Sequence, residues 1–368
     1  MLGVLGGGQL GRFFVIAARQ MGYRVAVLDP DHGSPAGALA DWHLAAGYED
    51  PAALEELAAS CVAITTEFEN VPAGSLAILA RRCRVAPSSD CVAVSQDRIR
   101  EKAALAAHGL PVGGYATVHA ETDLDRAELY PGILKRARFG YDGKGQARVA
   151  SPAEARAAWQ GFERAPCVLE GLVALDCEVS VVVARGADGA TAPFPVAENR
   201  HSHGILDVSI VPARVPDSLA REAQAMAARL ATALDYVGVL GVEFFVSGGR
   251  LLVNEIAPRP HNSGHYTMEA CATSQYAQQV RALCGLPLGE PRLLSPVVMV
   301  NVLGDAWKAG EPDWSAVLGE PRAHLHLYGK SSARPGRKMG HFTVLDAERD
   351  RAVDVALALR ARLGIGDD

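Results

Sequence analysis

Apolar positions along this chain come in short runs separated by glycine turns and polar clusters. Residues 2–5 are a continuous apolar run, Gly6-Gly7-Gly8-Gln9-Leu10-Gly11 follows, and a periodic apolar stretch predicts a helix to about Met21. Runs at 24–28, ending in Asp29-Pro30, and at 62–66, leading into Glu67-Phe68-Glu69-Asn70, predict two more strands. Strand, glycine turn, helix, strand is the order of an open parallel α/β sheet, and this unit is predicted to close near Ser95. A helix at about 97–108 is stopped by Gly109-Leu110-Pro111. A strand at Ile133-Leu134-Lys135, a glycine-rich loop at 138–146, a helix at about 152–162 and a strand ending in Val168-Leu169-Glu170 form a small second unit. From 177 onward strands predominate, at 177–184, 190–197, 205–211, 239–246 and 250–256, with helices at about 217–233 and 267–283. The stretch 296–345 adds two or three strands and a basic loop. Strands followed by helices imply an antiparallel α+β domain. The fold class is therefore α/β joined to α+β, divided at 1–95, 96–168 and 169–368.

Composition narrows the functions available. With 49% hydrophobic and 21% charged residues among 368, the chain is an ordinary globular protein and is not disordered. Its 36 basic residues against 42 acidic ones give a net charge of −6. That balance argues against a general nucleic-acid or anionic-membrane binder, so an anionic ligand needs a local basic cluster. The first residues show neither a basic region nor an apolar leader, and the longest uncharged stretch, 103–120, is broken by Gly109, Pro111, Gly113 and Gly114. The seven cysteines form no CxxC pair and are odd in number. They read as reduced thiols in a cytoplasmic protein with no disulfide framework and no zinc site.

Three clusters carry candidate chemistry. The turn Gly6-x-Gly8-x-x-Gly11, with Asp29 beyond it, fits a dinucleotide fingerprint, another phosphate site or a plain tight turn. The loop 138–146 carries Gly140, Gly143 and Gly145 with Arg138 and Lys144, and Lys135 precedes it; it can fold over a polyphosphate or be an ordinary hairpin loop around Asp142-Gly143. Glu243 and Glu255 each stand alone in a strongly apolar strand, where a carboxylate is costly unless it is paired or holds a metal, so together they predict a hard-cation site. To face one cation, the two acids need an odd-numbered loop, such as Ser247-Gly248-Gly249, or a bulge in the hairpin. The following Arg259-Pro260-His261-Asn262-Ser263 is a donor-rich segment suited to a small planar oxyanion.

Five blocks then resemble one family: Gly6 to Arg12, Thr66 to Pro72, Gly140 to Gln146, Asn254 to His265, and Arg334 to His341. Together they resemble the N5-carboxyaminoimidazole ribonucleotide synthetases, ATP-grasp carboxylases of purine biosynthesis. The resemblance implies an ATP-grasp fold with a doubly wound N-terminal domain, a small lid domain and a larger antiparallel domain. The implied reaction joins bicarbonate to 5-aminoimidazole ribonucleotide at the expense of ATP, with Mg2+ (or Mn2+) bound at Glu243 and Glu255. It implies ATP contacts from Arg98, Lys135, Gly140, Tyr141, Asp142, Gly143, Lys144, Gly145, Gln146 and Asn254. Glu170, Gly171, Leu172 and Val173 would meet adenine, Glu178 the ribose, and His201 the nucleotide site. Arg259, His261, Asn262 and Ser263 would surround bicarbonate, with Asp142 beside the amine that is carboxylated. Gly8, Gln9, Glu67, Tyr141, Asp142, Lys144, Lys330, Arg337 and Lys338 would hold the ribonucleotide. A homodimer acting on small molecules, with no nucleic-acid or membrane partner, completes that picture. Ala257 stands where some other ATP-grasp enzymes carry an Asn two residues past the second metal ligand. Three other readings compete at this point: an NAD-dependent dehydrogenase built on the first glycine turn, an inactive binding module that has kept the fold, which would need a broken metal pair although both Glu are present, and a sister ATP-grasp enzyme that activates formate or another small acid.

Overall fold

The computed structural model describes residues 1–140 and 145–365. Its N-terminal sheet is parallel and five-stranded, in the order Trp42–Leu44, Val25–Leu28, Leu2–Leu5, Ala63–Thr66, Arg84–Val85. The outer two strands are so short that no period is visible in them, which is why the sequence pattern passes over them. The helix Pro51–Ser60, also unpredicted, starts with Asp50 capping the amides of Ala52 and Ala53 and with proline in its first turn. One face of the sheet packs against Leu54, Leu57 and Leu76. The other face carries the helix Gln9–Gln20, whose Phe13 and Phe14 share a core with Tyr276 and Val280 of Gln275–Cys284. This contact locks the parallel domain onto the large domain.

The small sheet is antiparallel, in the order Tyr115–Val118, Cys167–Gly171, Gly132–Arg136, Gln146–Val149, so it extends through Gly171. Pro152–Gly161 backs it, capped by Ser151. The predicted helix near 97 starts at Arg98 because the Asp97 carboxylate accepts from the amides of Ile99 and Arg100.

The large sheet runs Arg250–Ala257, Gly238–Ser247, Cys177–Arg185, Ala197–Ser202, Ile205–Val211, Val297–Leu303, Lys338–Leu345, Ala323–Leu327. The tail therefore adds three strands to this sheet. Two expectations fail locally. The predicted strand 190–197 is two strands, Thr191–Pro193 and Ala197–Ser202, because Pro193 and Pro195 lack the N–H that a continuous ladder requires. The predicted helix 267–283 is a short turn, Thr267–Ala270, and a separate helix, Gln275–Cys284, restarted where Ser274 caps the amide of Ala277.

The hairpin that carries the two acids has a two-residue turn, with Ser247 opposite Arg250 and both Gly248 and Gly249 left-handed. The three-residue loop is thus replaced by the alternative expectation, a bulge. The register shifts between Glu243 and Phe244, so Phe244 faces Val253 while Glu243 faces Glu255.

Candidate active site

The bulge would leave backbone groups of Arg250–Ala257 without ladder partners, and one helix satisfies them. From Arg98–Ala107, Lys102 donates through Nζ to the Asn254 carbonyl at 3.0 Å, and the Glu101 carboxylate accepts from the Ile256 amide at 2.6 Å. Both side chains are buried. The same helix opens with Arg98, whose guanidinium donates to Glu255 at 3.0 Å. Burial alone would raise the Glu255 carboxyl, but Arg98 and Lys135 pull it down to about 2. Glu255 is thereby held as an anion. Burial pushes Glu101 the other way, to about 7, with Glu255 adding to the rise and Arg98 opposing it.

Lys135, on Gly132–Arg136, donates to Glu170 at 3.0 Å, and Lys102 lies 3.6 Å from the other Glu170 oxygen. Burial disfavours that carboxylate, yet the two lysines keep its pKa below the ordinary value. Beyond Glu170, the amides of Gly171 and Leu172 already donate to the carbonyls of Gly114 and Pro131. Among the described residues the Val173 amide meets no acceptor. Gly145 and Gln146 close the lid strand against Arg136 and Lys135. Tyr141, Asp142, Gly143 and Lys144 lie outside the described residues.

Glu178 and His201 meet across the large sheet, with Nδ1 of His201 3.2 Å from a Glu178 oxygen. Burial would depress the imidazole, but Glu178, Glu243 and Glu255 together raise its pKa. His261 Nε2 lies 3.2 Å from Glu243, on the same side of the hairpin as Glu255. Gly241 makes room for this ring, since a Cβ there would stand 2.8 Å from His261 Cβ and Cγ. The backbone of His261 is pinned from both sides by Gln275, which accepts from its amide and donates to its carbonyl, each at 2.8 Å. Arg259 is paired with Glu69, which comes from the loop after the fourth strand of the parallel sheet. That pairing outweighs burial and holds the Glu69 carboxyl below its usual range. Both polar atoms of the buried Asn262 amide meet no partner among the described residues, a state that suits a polar ligand. The Ser263 hydroxyl is fully buried between His261 and Ser180 and is not presented to an open site.

The glycine turn departs from the dinucleotide pattern. The Glu67 carboxylate accepts from the amides of Gly8 and Gly11, each at 2.9 Å, the groups a pyrophosphate would use. Asp29 is likewise engaged, by the Gly7 amide at 2.6 Å and the Tyr48 hydroxyl at 2.7 Å. The Gly8 amide expected to meet a ribonucleotide phosphate is thus taken by Glu67, while Gln9 opens the helix beside it. Arg12, one turn on, sends its guanidinium toward Gly329 in the basic loop, a convergence hidden by more than 300 intervening residues. Within that loop Lys330 donates to the Lys338 carbonyl at 2.6 Å and lies over the Tyr328 ring, while Arg337 donates to Ser332.

The sheet-and-lid arrangement and this belt of alternating acids and cations between the two antiparallel sheets define an ATP-grasp enzyme. An ATP-grasp domain model matches residues 103–276, a ribonucleotide synthetase preATP-grasp domain 1–96, and a phosphoribosylaminoimidazole carboxylase C-terminal domain 297–354. The chain belongs to the N5-carboxyaminoimidazole ribonucleotide synthase family. It is 44% identical over 354 residues to the Bacillus subtilis (strain 168) N5-carboxyaminoimidazole ribonucleotide synthase, covering 95% of this chain and 92% of that one. An N5-carboxyaminoimidazole ribonucleotide synthetase in complex with ADP superposes with a TM-score of 0.92 at 44% identity, covering 98% of this chain and 96% of the other. The Aspergillus clavatus N5-carboxyaminoimidazole synthase, solved with ADP and 5-aminoimidazole ribonucleotide, gives 0.91 at 32% identity, covering 99% and 98%.

Proposed function

We propose that this enzyme uses ATP and bicarbonate to carboxylate 5-aminoimidazole ribonucleotide at its exocyclic amine, giving the N5-carboxy product, ADP and phosphate. The observation that carries the reading is the juxtaposition of Glu243, Glu255, Arg98 and His261 beside Arg259 and Asn262. Charge for a nucleotide and donors for a small oxyanion thus share one wall.

The donor set fits a hard divalent cation: two carboxylates on one face, one of them firmly ionised, with phosphate oxygens to complete the shell. Glu243 and Glu255 would hold Mg2+, which would neutralise the transferring phosphoryl group. Lys135 and Arg98 supply charge at the phosphates, Glu178 and His201 line the nucleotide, and Val173 offers its amide to adenine. Arg259, His261 and Asn262 orient bicarbonate so that its oxygen attacks the γ-phosphorus and ADP leaves. The resulting carboxyphosphate breaks its C–O bond to give carbon dioxide and phosphate. The amine nitrogen then bonds to that carbon and loses a proton, and Asp142 is the candidate for orienting the amine or taking that proton. Gln9, Glu67, Lys330, Arg337 and Lys338 hold the ribonucleotide. The Glu67 carboxylate must yield the Gly8 amide if that amide is to reach the phosphate. A cytoplasmic homodimer completes the reading; no helix among the described residues is long and apolar enough to cross a membrane.

The test is ADP release from purified protein given ATP, Mg2+ and bicarbonate, with and without the ribonucleotide. Stimulation by the ribonucleotide is expected. Folded protein that shows none would overturn the assignment.

A further inference from the structure

Behind His261 a file of buried side chains runs away from the site. Ser263 Oγ lies 2.8 Å from His261 Nδ1, and Ser180 Oγ lies 2.7 Å from Ser263 Oγ. Asn199 Nδ2 donates to Ser180 Oγ at 2.8 Å, and Ser209 Oγ donates to Asn199 Oδ1 at 2.9 Å. All four residues are buried, on three neighbouring strands and one turn. A row of small hydroxyls and one amide in this position is not needed to fill a core, since apolar side chains of like size would do so without the desolvation cost.

The direction of the hydrogen bonds can be deduced from one donor that cannot reverse. The backbone amide of Ser263 points at His261 Nδ1 at 3.4 Å, and an amide nitrogen only donates. A proton on Nδ1 would face that N–H and is disfavoured, so Nδ1 is the acceptor in the native file. The Ser263 hydroxyl, facing the same nitrogen, must then also donate to it. Its oxygen is left to accept from the Ser180 hydroxyl, whose oxygen accepts in turn from the Asn199 amide. The Asn199 carbonyl oxygen accepts from Ser209. Each of the four has one consistent role, and the file ends on the tautomer of the imidazole.

We propose that Ser263, Ser180, Asn199 and Ser209 are positioning residues that hold His261 as the Nε2–H tautomer, making it a fixed proton donor at the carboxylation site. The inference rests on the proposed reaction. In it the ring presents Nε2–H toward Glu243 and the bicarbonate oxygens and has no lone pair there with which to act as a base. His261 therefore steadies the anion as it attacks phosphorus and as carboxyphosphate forms. The proton released by the amine must go elsewhere. The role of Ser263 is to orient the imidazole, and it makes no contact with bicarbonate.

Nitrogen-15 spectra of labelled histidine test this directly, because protonated and bare imidazole nitrogens resonate far apart. Wild-type His261, assigned by its loss in His261→Gln, is expected to show a bare Nδ1 and a protonated Nε2 at pH 8. A protonated Nδ1 would overturn the proposal while leaving ribonucleotide-dependent ADP release, and hence the reaction, intact. In Asn199→Asp the carboxylate accepts from both serines and reverses the file, so the Nδ1–H form should appear. With it, kcat should fall by roughly 10- to 1000-fold at an ATP KM changed less than about twofold. Ser263→Ala, a smaller change, should give a mixture of tautomers and a smaller fall in kcat. Unaltered tautomers in both variants would overturn the role of the file.

Discussion

Glu243 and Glu255 stand directly across from each other on neighbouring strands because Asn254 is squeezed out of the ladder between them. Leu251, Val253 and Ile256 all enter one core, with the extra residue falling between the last two. Without it, continued alternation from Val253 would turn position 255 into that core. The bulge therefore delivers a second carboxylate to the face that already holds Glu243. Lys102 and Glu101 occupy the backbone groups around it, so the bulge is braced by the same helix that delivers Arg98.

Lys135 is expected to serve ATP more than the fold. In Lys135→Ala, Glu170 keeps Lys102 as a partner at 3.6 Å, so the loss of stability should be limited to about 1–3 kcal/mol. Affinity for ATP should fall by roughly 10- to 100-fold, the worth of a charge-assisted contact to phosphate. Calorimetric titration with ATP beside a thermal melt separates the two effects. Unchanged affinity in a folded variant would remove Lys135 from the nucleotide site.

Arg259 should act on bicarbonate. Its guanidinium is held by Glu69 from the parallel domain. Arg259→Ala should abolish carboxylation while ATP affinity stays within about threefold, since none of the phosphate contacts proposed above depends on it. Isotope-labelled bicarbonate incorporation and nucleotide binding measure the two. Collapse of nucleotide binding instead would place Arg259 at the phosphates.

The sequence exposed those parts of the site where a residue type conflicts with its surroundings. A lone acid in an apolar strand, as at Glu243 and Glu255, shows itself because burial without a partner is costly. Side-chain parity then demanded a bulge or an odd loop, and the structure uses the bulge. Glu101 and Lys102 gave no such signal. On a helix with alternating charges they look like solvated surface, and only the fold shows that both are buried against the bulge. Ser180, Asn199 and Gly241 were silent for another reason: small residues are common in strands, and their purpose depends on the ring of His261 beside them. The dinucleotide pattern misled because its glycines serve a close turn, and the amides it exposes are taken by Glu67, just past the end of the neighbouring strand.

Lys338 should affect the ribonucleotide selectively. Lys330 donates to the carbonyl of Lys338, not to its side chain, so Lys338→Ala leaves that link of the loop in place. The variant should raise KM for the ribonucleotide by roughly tenfold or more and leave KM for ATP within about twofold, as expected for a lost phosphate contact. Steady-state kinetics with each substrate varied decides it. Equal effects on both constants would point to a damaged fold.

Glu101 should make stability depend on pH in a predictable direction. Its carboxyl is pushed from the ordinary 4.5 to about 7, chiefly by burial and next by Glu255 against the opposing pull of Arg98. A group whose pKa is higher folded than unfolded binds its proton more tightly in the folded state. Its stabilising effect is complete below about 4.5 and is lost as pH rises through about 7. Glu101→Gln is neutral at every pH and keeps an oxygen for the Ile256 amide. The wild type should therefore lose stability relative to this variant between pH 5 and pH 8, by on the order of 1–3 kcal/mol. Urea unfolding of both proteins at the two pH values gives the difference directly. An identical gap at both would show that Glu101 titrates no differently folded than unfolded, and that its ionisation is already balanced by Arg98.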